Sequence, residues 1–219
     1  MPGTAETYAE LSRVLYTAVV CDALDTFGLT RQLAAPGFVP MTSERALVGR
    51  CRTTLWSDMA HEDPEPYALE LEAVDALRPG DVMIAAAHGS MRSGLWGELL
   101  STAAANAGCV GVVVDGAVRD VMKMRAADFP VFARGVCALD SKNRQRVVDR
   151  DVPVELAGVF VRPGDLVVAD VDGVVFVPAD VEAEVVAYAR RKVGDEDRVR
   201  DAIRGGMPAT EAYQRFGVL

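Results

Sequence analysis

Gly97-Glu-Leu-Leu-Ser-Thr-Ala-Ala-Ala-Asn-Ala-Gly-Cys-Val-Gly-Val-Val-Val-Asp-Gly-Ala-Val-Arg-Asp120 is the stretch that decides the fold. Its first half reads as a helix of small residues from Glu98 to Gly108, and its second half as a valine strand from Cys109 to Asp115. Such a helix carries the chain about 15 Å away from its start, at roughly 1.5 Å per residue. The strand returns about 20 Å, at roughly 3.3 Å per residue. The helix N-terminus and the carboxyl end of the strand therefore fall at one edge, where open α/β sheets hold ligands. Glu98, Arg119 and Asp120 are expected to meet there.

Outward from that core the pattern stays α/β. Residues Ala5 to Thr26 carry Leu11, Val14, Leu15, Ala18 and Val19 at helical spacing, which predicts one or two helices ending before Gly28. Leu47 to Gly49 and Cys51 to Leu55 are strand candidates, and Pro66 to Leu77 reads as a helix. Val82 to Ala87 is a strand, followed by a glycine-bearing loop from His88 to Gly97. A short helix from Asp120 to Ala127 precedes strands at 131–133, 152–156, 159–161, 166–169 and 173–177. Pro178 should stand at the first position of a helix running to Val193, with two shorter helices around 197–204 and 208–216. Arg78-Pro-Gly-Asp81 and Arg162-Pro-Gly-Asp165 each lead into a strand and read as one turn solution used twice. No low-complexity linker divides the chain, so the expectation is one domain over residues 1–219, with a helical tail from about 195.

Composition narrows the function. The 219 residues include 23 Lys and Arg against 32 Asp and Glu, a formal net charge of -9, which argues against a nucleic-acid surface. The charges between Arg190 and Asp201 alternate in sign, as on a solvated helix face. No apolar run approaches the roughly 20 residues of a membrane span, and the run from Met1 lacks a signal core, so a cytoplasmic location is expected. Cys21, Cys51, Cys109 and Cys137 are widely spaced and read as reduced, buried residues. His61 and His88, the two histidines, lie in no zinc or triad motif and are candidates for substrate contact alone. Lys123, Lys142 and Lys192 lie in no apolar strand that would favour a Schiff base. Asp170-Val-Asp-Gly173 reads as a turn, and Asp22 and Asp25 as helix-surface acids.

Three residue types at the sheet edge carry chemistry. The first turn of the helix, Gly97 to Leu100, offers unpaired amides and a partial positive charge to a small carboxylate. Arg119 supplies a planar fork for a carboxylate or an enolate oxygen. Asp120 supplies a hard oxygen for Mg²⁺ or Mn²⁺. An acid in a first turn and an Arg–Asp pair tying down a loop are also commonplace structural devices. The convergence of all three favours a site.

The run from Gly97 to Asp120, the segment from Val161 to Pro178 and the early Cys21-Asp-Ala-Leu-Asp25 together resemble the RraA-like family. That family joins regulators of ribonuclease E activity to the metal-dependent 4-hydroxy-4-methyl-2-oxoglutarate/4-carboxy-4-hydroxy-2-oxoadipate aldolases. The resemblance spans about Val14 to the C-terminus. It implies a layered α/β domain of the swivelling ββα type with N- and C-terminal helices. It further implies a class II aldolase that releases pyruvate from a 4-hydroxy-2-oxo acid, with oxaloacetate decarboxylation as a side activity. In that reading Asp120 contacts the metal and Arg119 binds pyruvate and steadies its enolate. Glu98 stands where the aldolases usually carry Asp, holding metal-bound water and helping to protonate the enolate through it, and the amides of Gly97, Glu98, Leu99 and Leu100 grip the carboxylate. Glu196 corresponds to a further acid, acting through water from a neighbouring subunit of a homotrimer or homohexamer. The alternative is a non-catalytic regulator that binds a ribonuclease or helicase partner. Retention of Glu98, Arg119 and Asp120 together favours the enzyme.

Overall fold

Valine-rich strands buried on both faces set the architecture, because such strands need cover above and below. In the computed structural model, which describes residues 5–218, helices α1 (Ala5–Leu11) and α2 (Thr17–Thr26) lead to β1 (Val39–Pro40) and β2 (Leu47–Asp58). There follow α3 (Ala68–Asp75), β3 (Asp81–Trp96), α4 (Glu98–Asn106), β4 (Gly111–Val118), α5 (Val121–Ala126) and β5 (Val131–Val136). Strands β6 (Gln145–Arg150), β7 (Val154–Leu156), β8 (Val159–Val161), β9 (Leu166–Asp170) and β10 (Gly173–Val177) precede α6 (Glu182–Arg204) and α7 (Ala209–Phe216). Residues Met1 to Thr4, where the expected lack of a signal begins, lie outside the described residues.

The main sheet runs β1-β5-β4-β3-β2-β9-β10, with β6 paired to the far half of β2. Strands β2 to β5 are mutually parallel, while β9, β10 and β6 are antiparallel additions. Alternation along β4 sends Val112 and Val114 into a core beneath α3, α4 and α5, and Val113 into a second core that also takes the β7–β8 hairpin. A third core lies under α1, α2 and α6 against β9 and β10. Each fully buried valine contributes roughly 1.5–3 kcal/mol, so the cores fix the register on which the sheet edge depends.

Both Arg-Pro-Gly-Asp segments adopt one turn. Gly80 and Gly164 take φ of 88° and 93°, and the Asp81 and Asp165 carboxylates accept the amides of Arg78 and Arg162 at 2.9 and 2.8 Å. They launch β3 and β9 along the two sides of β2. The Asp170 turn also has a structural duty, since its carboxylate accepts the Thr17 amide at 2.7 Å where α2 begins.

Three expectations need correction. Residues 88–97 are not a loop. Strand β3 kinks at His88 and Gly89, with φ of 52° and 73°, then pairs again, Gly94 beside Ala117 and Trp96 beside Val118. Strand β4 does not turn at Asp115 but runs on to Val118, with Asp115 buried and ion-paired to Arg134. The helix after Pro178 begins at Glu182 and continues unbroken through Gly194 to Arg204, replacing two expected helices. Glycine inside a helix costs about 1 kcal/mol. Pairs such as Arg198–Asp195 and Arg200–Asp197, with the packing of Val185, Ala189 and Val199, offset that cost.

Candidate active site

The two resumed strand ends bring the deciding stretch together. The Arg119 amide donates to the Trp96 carbonyl at 2.8 Å, so the residue that opens α4 lies beside the residue that leaves β4. A side chain at Gly97 would put its Cβ 2.8 Å from Asp120 Oδ2 and 3.2 Å from Arg119 Cγ. One at Gly94 would meet Arg119 Cβ at 2.8 Å and the Cys137 carbonyl at 2.5 Å. These two glycines are the room in which the arginine and the aspartate sit. Gly97 is the N-cap of α4 and makes no side-chain capping bond; the Glu98 amide has a long contact to Asp120 Oδ2 at 3.5 Å, and the amides of Leu99 and Leu100 are left for another acceptor.

Asp120 has φ 58° and ψ 28°, a left-handed conformation that costs a non-glycine residue of order 1 kcal/mol. Its carbonyl starts α5, accepting from Lys123 at 2.9 Å. Its Oδ2 has only distant neighbours, the Glu98 amide at 3.5 Å and Arg119 Nε at 3.6 Å. A hard oxygen therefore faces the pocket with no strong protein partner. Arg119 Nη1 donates to Asp140 Oδ2 at 2.9 Å, and the Tyr67 hydroxyl donates to Asp140 Oδ1 at 2.8 Å. Burial alone would raise the Asp140 carboxyl. The Lys142 amide, the Tyr67 hydroxyl and Arg119 together hold it below the usual range. Tyr67 is pushed up to about 12 by burial and by its bond to Asp140.

These groups line a pocket of about 290 Å³ whose walls include Gly97, Leu99, Leu100, Arg119, Asp120 and Asp140. Its inner wall holds a residue that the sequence reading missed. Glu70 on α3 is 7% exposed, and its Oε2 has no hydrogen-bond partner. Burial, and then the neighbouring charge of Asp140, push its carboxyl up to about 8 against the opposing pull of Arg119. A signal for it existed, because Glu70 stands three, four and seven residues before the buried Ala73, Val74 and Leu77. Asp140 left no comparable trace. It lies in irregular chain and is carried to the site by a bridge to Gly94.

The other expected residues divide. Leu99 and Leu100 line the pocket, whereas Glu98 turns along its own helix and accepts from Thr102 at 3.2 Å. Glu196 lies on α6, accepts from the Tyr16 hydroxyl and sits 3.9 Å from Lys192, so within one chain it is apart from the pocket. His61 lines a larger cavity of about 600 Å³ that shares Asp140 but contains neither Arg119 nor Asp120. Lys192 pairs with Asp22, and the four cysteines are free thiols.

The donor set suits a hard divalent ion. Among the described residues no cluster of three or more His, Cys, Asp or Glu is arranged around a metal, so Asp120 would be the one direct carboxylate from this chain. Mg²⁺ accepts such sites, keeping several waters and taking further oxygens from its ligand. The Asp120 Oδ2 beside the Gly97 cradle, held only by long contacts to the Glu98 amide and Arg119, fits that demand.

With this geometry in hand, the comparisons with known proteins are informative. The model of the RraA-like family, described as aldolase/RraA, matches residues 17–176. A Halalkalibacterium halodurans protein named "Putative 4-hydroxy-4-methyl-2-oxoglutarate aldolase" is 34% identical over 92% of this chain and 90% of its own. An uncharacterized Pseudomonas syringae protein of known structure superposes with a TM-score of 0.83 at 29% identity, covering 97% of this chain and 98% of its own. Streptomyces coelicolor RraAS2, described as an unusual member of the RNase ES inhibitor RraA family, superposes with a TM-score of 0.79 at 30% identity, covering 91% and 98%. The mixed sheet with helices at both ends is thus the fold of RraA proteins. Among the described residues no helix is long and apolar enough to cross a membrane.

Proposed function

The chain belongs to the RraA-like family, and on that premise we propose that it is a divalent-metal-dependent aldolase. It cleaves a 4-hydroxy-2-oxo acid, such as 4-hydroxy-4-methyl-2-oxoglutarate or 4-carboxy-4-hydroxy-2-oxoadipate, to pyruvate and a second oxo acid. The observation that carries this reading is the convergence of Arg119, Asp120 and the α4 amides on one pocket.

Each group has a task set by its chemistry. The first-turn amides of α4 hold the substrate carboxylate. Arg119, steadied by Asp140, keeps N–H groups for the C2 oxygen. Breaking the C3–C4 bond releases the second oxo acid and leaves an enolate, whose charge gathers on that oxygen beside the guanidinium. Asp120 would hold Mg²⁺ or Mn²⁺, which when bound supplies Lewis-acid polarisation of the carbonyl. Glu98 stands at the rim and would exchange protons with solvent after swinging off Thr102. Oxaloacetate decarboxylation passes through the same enolate and is expected alongside. We further propose a homotrimer or homohexamer. Leu99, in the pocket wall, and Met122, two residues after Asp120, are 76% and 85% exposed, which favours a covering neighbour. Glu196 would have to leave Tyr16 and Lys192 to serve a neighbouring pocket.

A coupled assay for pyruvate from 4-hydroxy-4-methyl-2-oxoglutarate, with and without chelator, tests the reading. Chelator-sensitive release supports it. Absence of release, together with capture of a ribonuclease or helicase, favours the regulator.

A further inference from the structure

Glu70 is a carboxyl withdrawn from water into the wall of the pocket that Arg119 and Asp120 line. Its helix packs Ala73 and Val74 into the core beneath the sheet, so the side chain is fixed from behind. Its Oε2 has no partner, although a buried polar atom left unpaired costs roughly 1–3 kcal/mol. Natural interiors seldom carry such a cost without use. A pocket of about 290 Å³ has the volume of one small ligand, and Glu70 and Arg119 both line it.

We infer that Glu70 delivers the proton that converts the enolate to pyruvate. This rests on the aldolase reading above and moves to Glu70 the proton transfer that the family resemblance implies for Glu98 through water. The proton passes from the Glu70 carboxyl to C3. The electron pair of the enolate forms the new C–H bond, and C2 regains its carbonyl. The carboxylate left on Glu70 then takes a proton from water, matching the proton that the C4 hydroxyl released. No co-reactant is needed.

The electrostatics agree with that direction of transfer. Asp140, from the chain after β5, opposes a second negative charge, and Arg119, from the end of β4, favours one. Tyr67, the N-cap of the helix that carries Glu70, is occupied by Asp140. With Asp140 already paired to Arg119, burial favours the protonated carboxyl of Glu70.

The test is solvent exchange. Enolate protonation run backwards removes a methyl proton from pyruvate, so the enzyme should wash deuterium from D₂O into the pyruvate methyl group, read by proton NMR. The wild-type chain with Mg²⁺ or Mn²⁺ is compared with Glu70→Gln, which keeps shape and neutrality but cannot pass a proton. The expected result is at least about a 100-fold loss of exchange, with oxalate affinity, read by calorimetry, and melting temperature at pH 7 not reduced. Exchange in Glu70→Gln within about threefold of wild type overturns the proton assignment and leaves the aldolase reading standing. Loss of exchange and oxalate binding together overturns it in favour of a packing role, which Glu70→Met, filling the same space, would then restore. No exchange by the wild-type chain overturns the aldolase reading and this step with it.

Discussion

Glu98 opens α4 on the rim of the pocket, partly exposed and bonded to Thr102 of its own helix. Glu70 lies on the inward face of α3, 7% exposed, with one oxygen unpaired. The same side chain thus occurs twice around one ligand space, once in water and once out of it. Water decides what each can do. A rim carboxyl is solvated and replaceable by other proton carriers. A wall carboxyl keeps its proton near neutral pH and can surrender it to one place alone. Sequence motifs single out the rim residue because it sits beside a glycine at a helix start, whereas burial singles out the wall residue.

That contrast can be broken in several ways. The largest effect among these is expected from the guanidinium that faces the enolate oxygen. Arg119→Ala should lower pyruvate release by about 10³-fold, the scale of one lost oxyanion donor, while the melting temperature moves little. A comparable loss of stability instead would make Arg119 a structural residue. Asp140→Asn leaves one acceptor oxygen where Arg119, Tyr67 and the Lys142 amide all donate, and removes the charge that orients the guanidinium. A loss of about tenfold, mostly in kcat, is the expected outcome of steady-state kinetics. Glu98→Gln should cost about threefold, as for one exposed charge. A loss as large as that of Glu70→Gln would erase the distinction between rim and wall.

A further prediction concerns stability alone. The Glu70 carboxyl ionises at the usual value of 4.5 when the chain is unfolded and at about 8 when it is folded. Folding therefore takes up a proton between those values. The stability tied to the protonated group is fully present below pH 4.5 and falls by roughly 1.4 kcal/mol per pH unit up to about 8. Denaturant melts across that window should lose this slope in Glu70→Gln, and an unchanged slope would mean that Glu70 is ionised in the folded chain.

Much of this was legible before any coordinates. The length of α4 and the return along β4 place Glu98, Arg119 and Asp120 at one edge from chain geometry alone; the structure brings Gly97 and the Glu98 amide to Asp120, while the Glu98 side chain turns to Thr102. The two Arg-Pro-Gly-Asp segments are legible as one device. The reading failed where tertiary pairing overrode local signals. Gly89 and Gly94 looked like loop residues, yet one kinks β3 and the other makes room for Arg119. Gly194 looked like a helix end, yet flanking ion pairs and packing carry α6 through it. Glu70 was readable from its spacing to Ala73, Val74 and Leu77, since an acid on an apolar stripe invites an explanation. Asp140 was not, because irregular chain has no period to place it.

The most direct test of the central claim is pyruvate release from 4-hydroxy-4-methyl-2-oxoglutarate by the wild-type chain and by Asp120→Ala, each assayed with Mn²⁺ and with chelator. The account predicts release that chelator abolishes in the wild type, and none above background in Asp120→Ala with Mn²⁺ present. Full, chelator-sensitive release by Asp120→Ala would place the ion elsewhere and contradict the site described here.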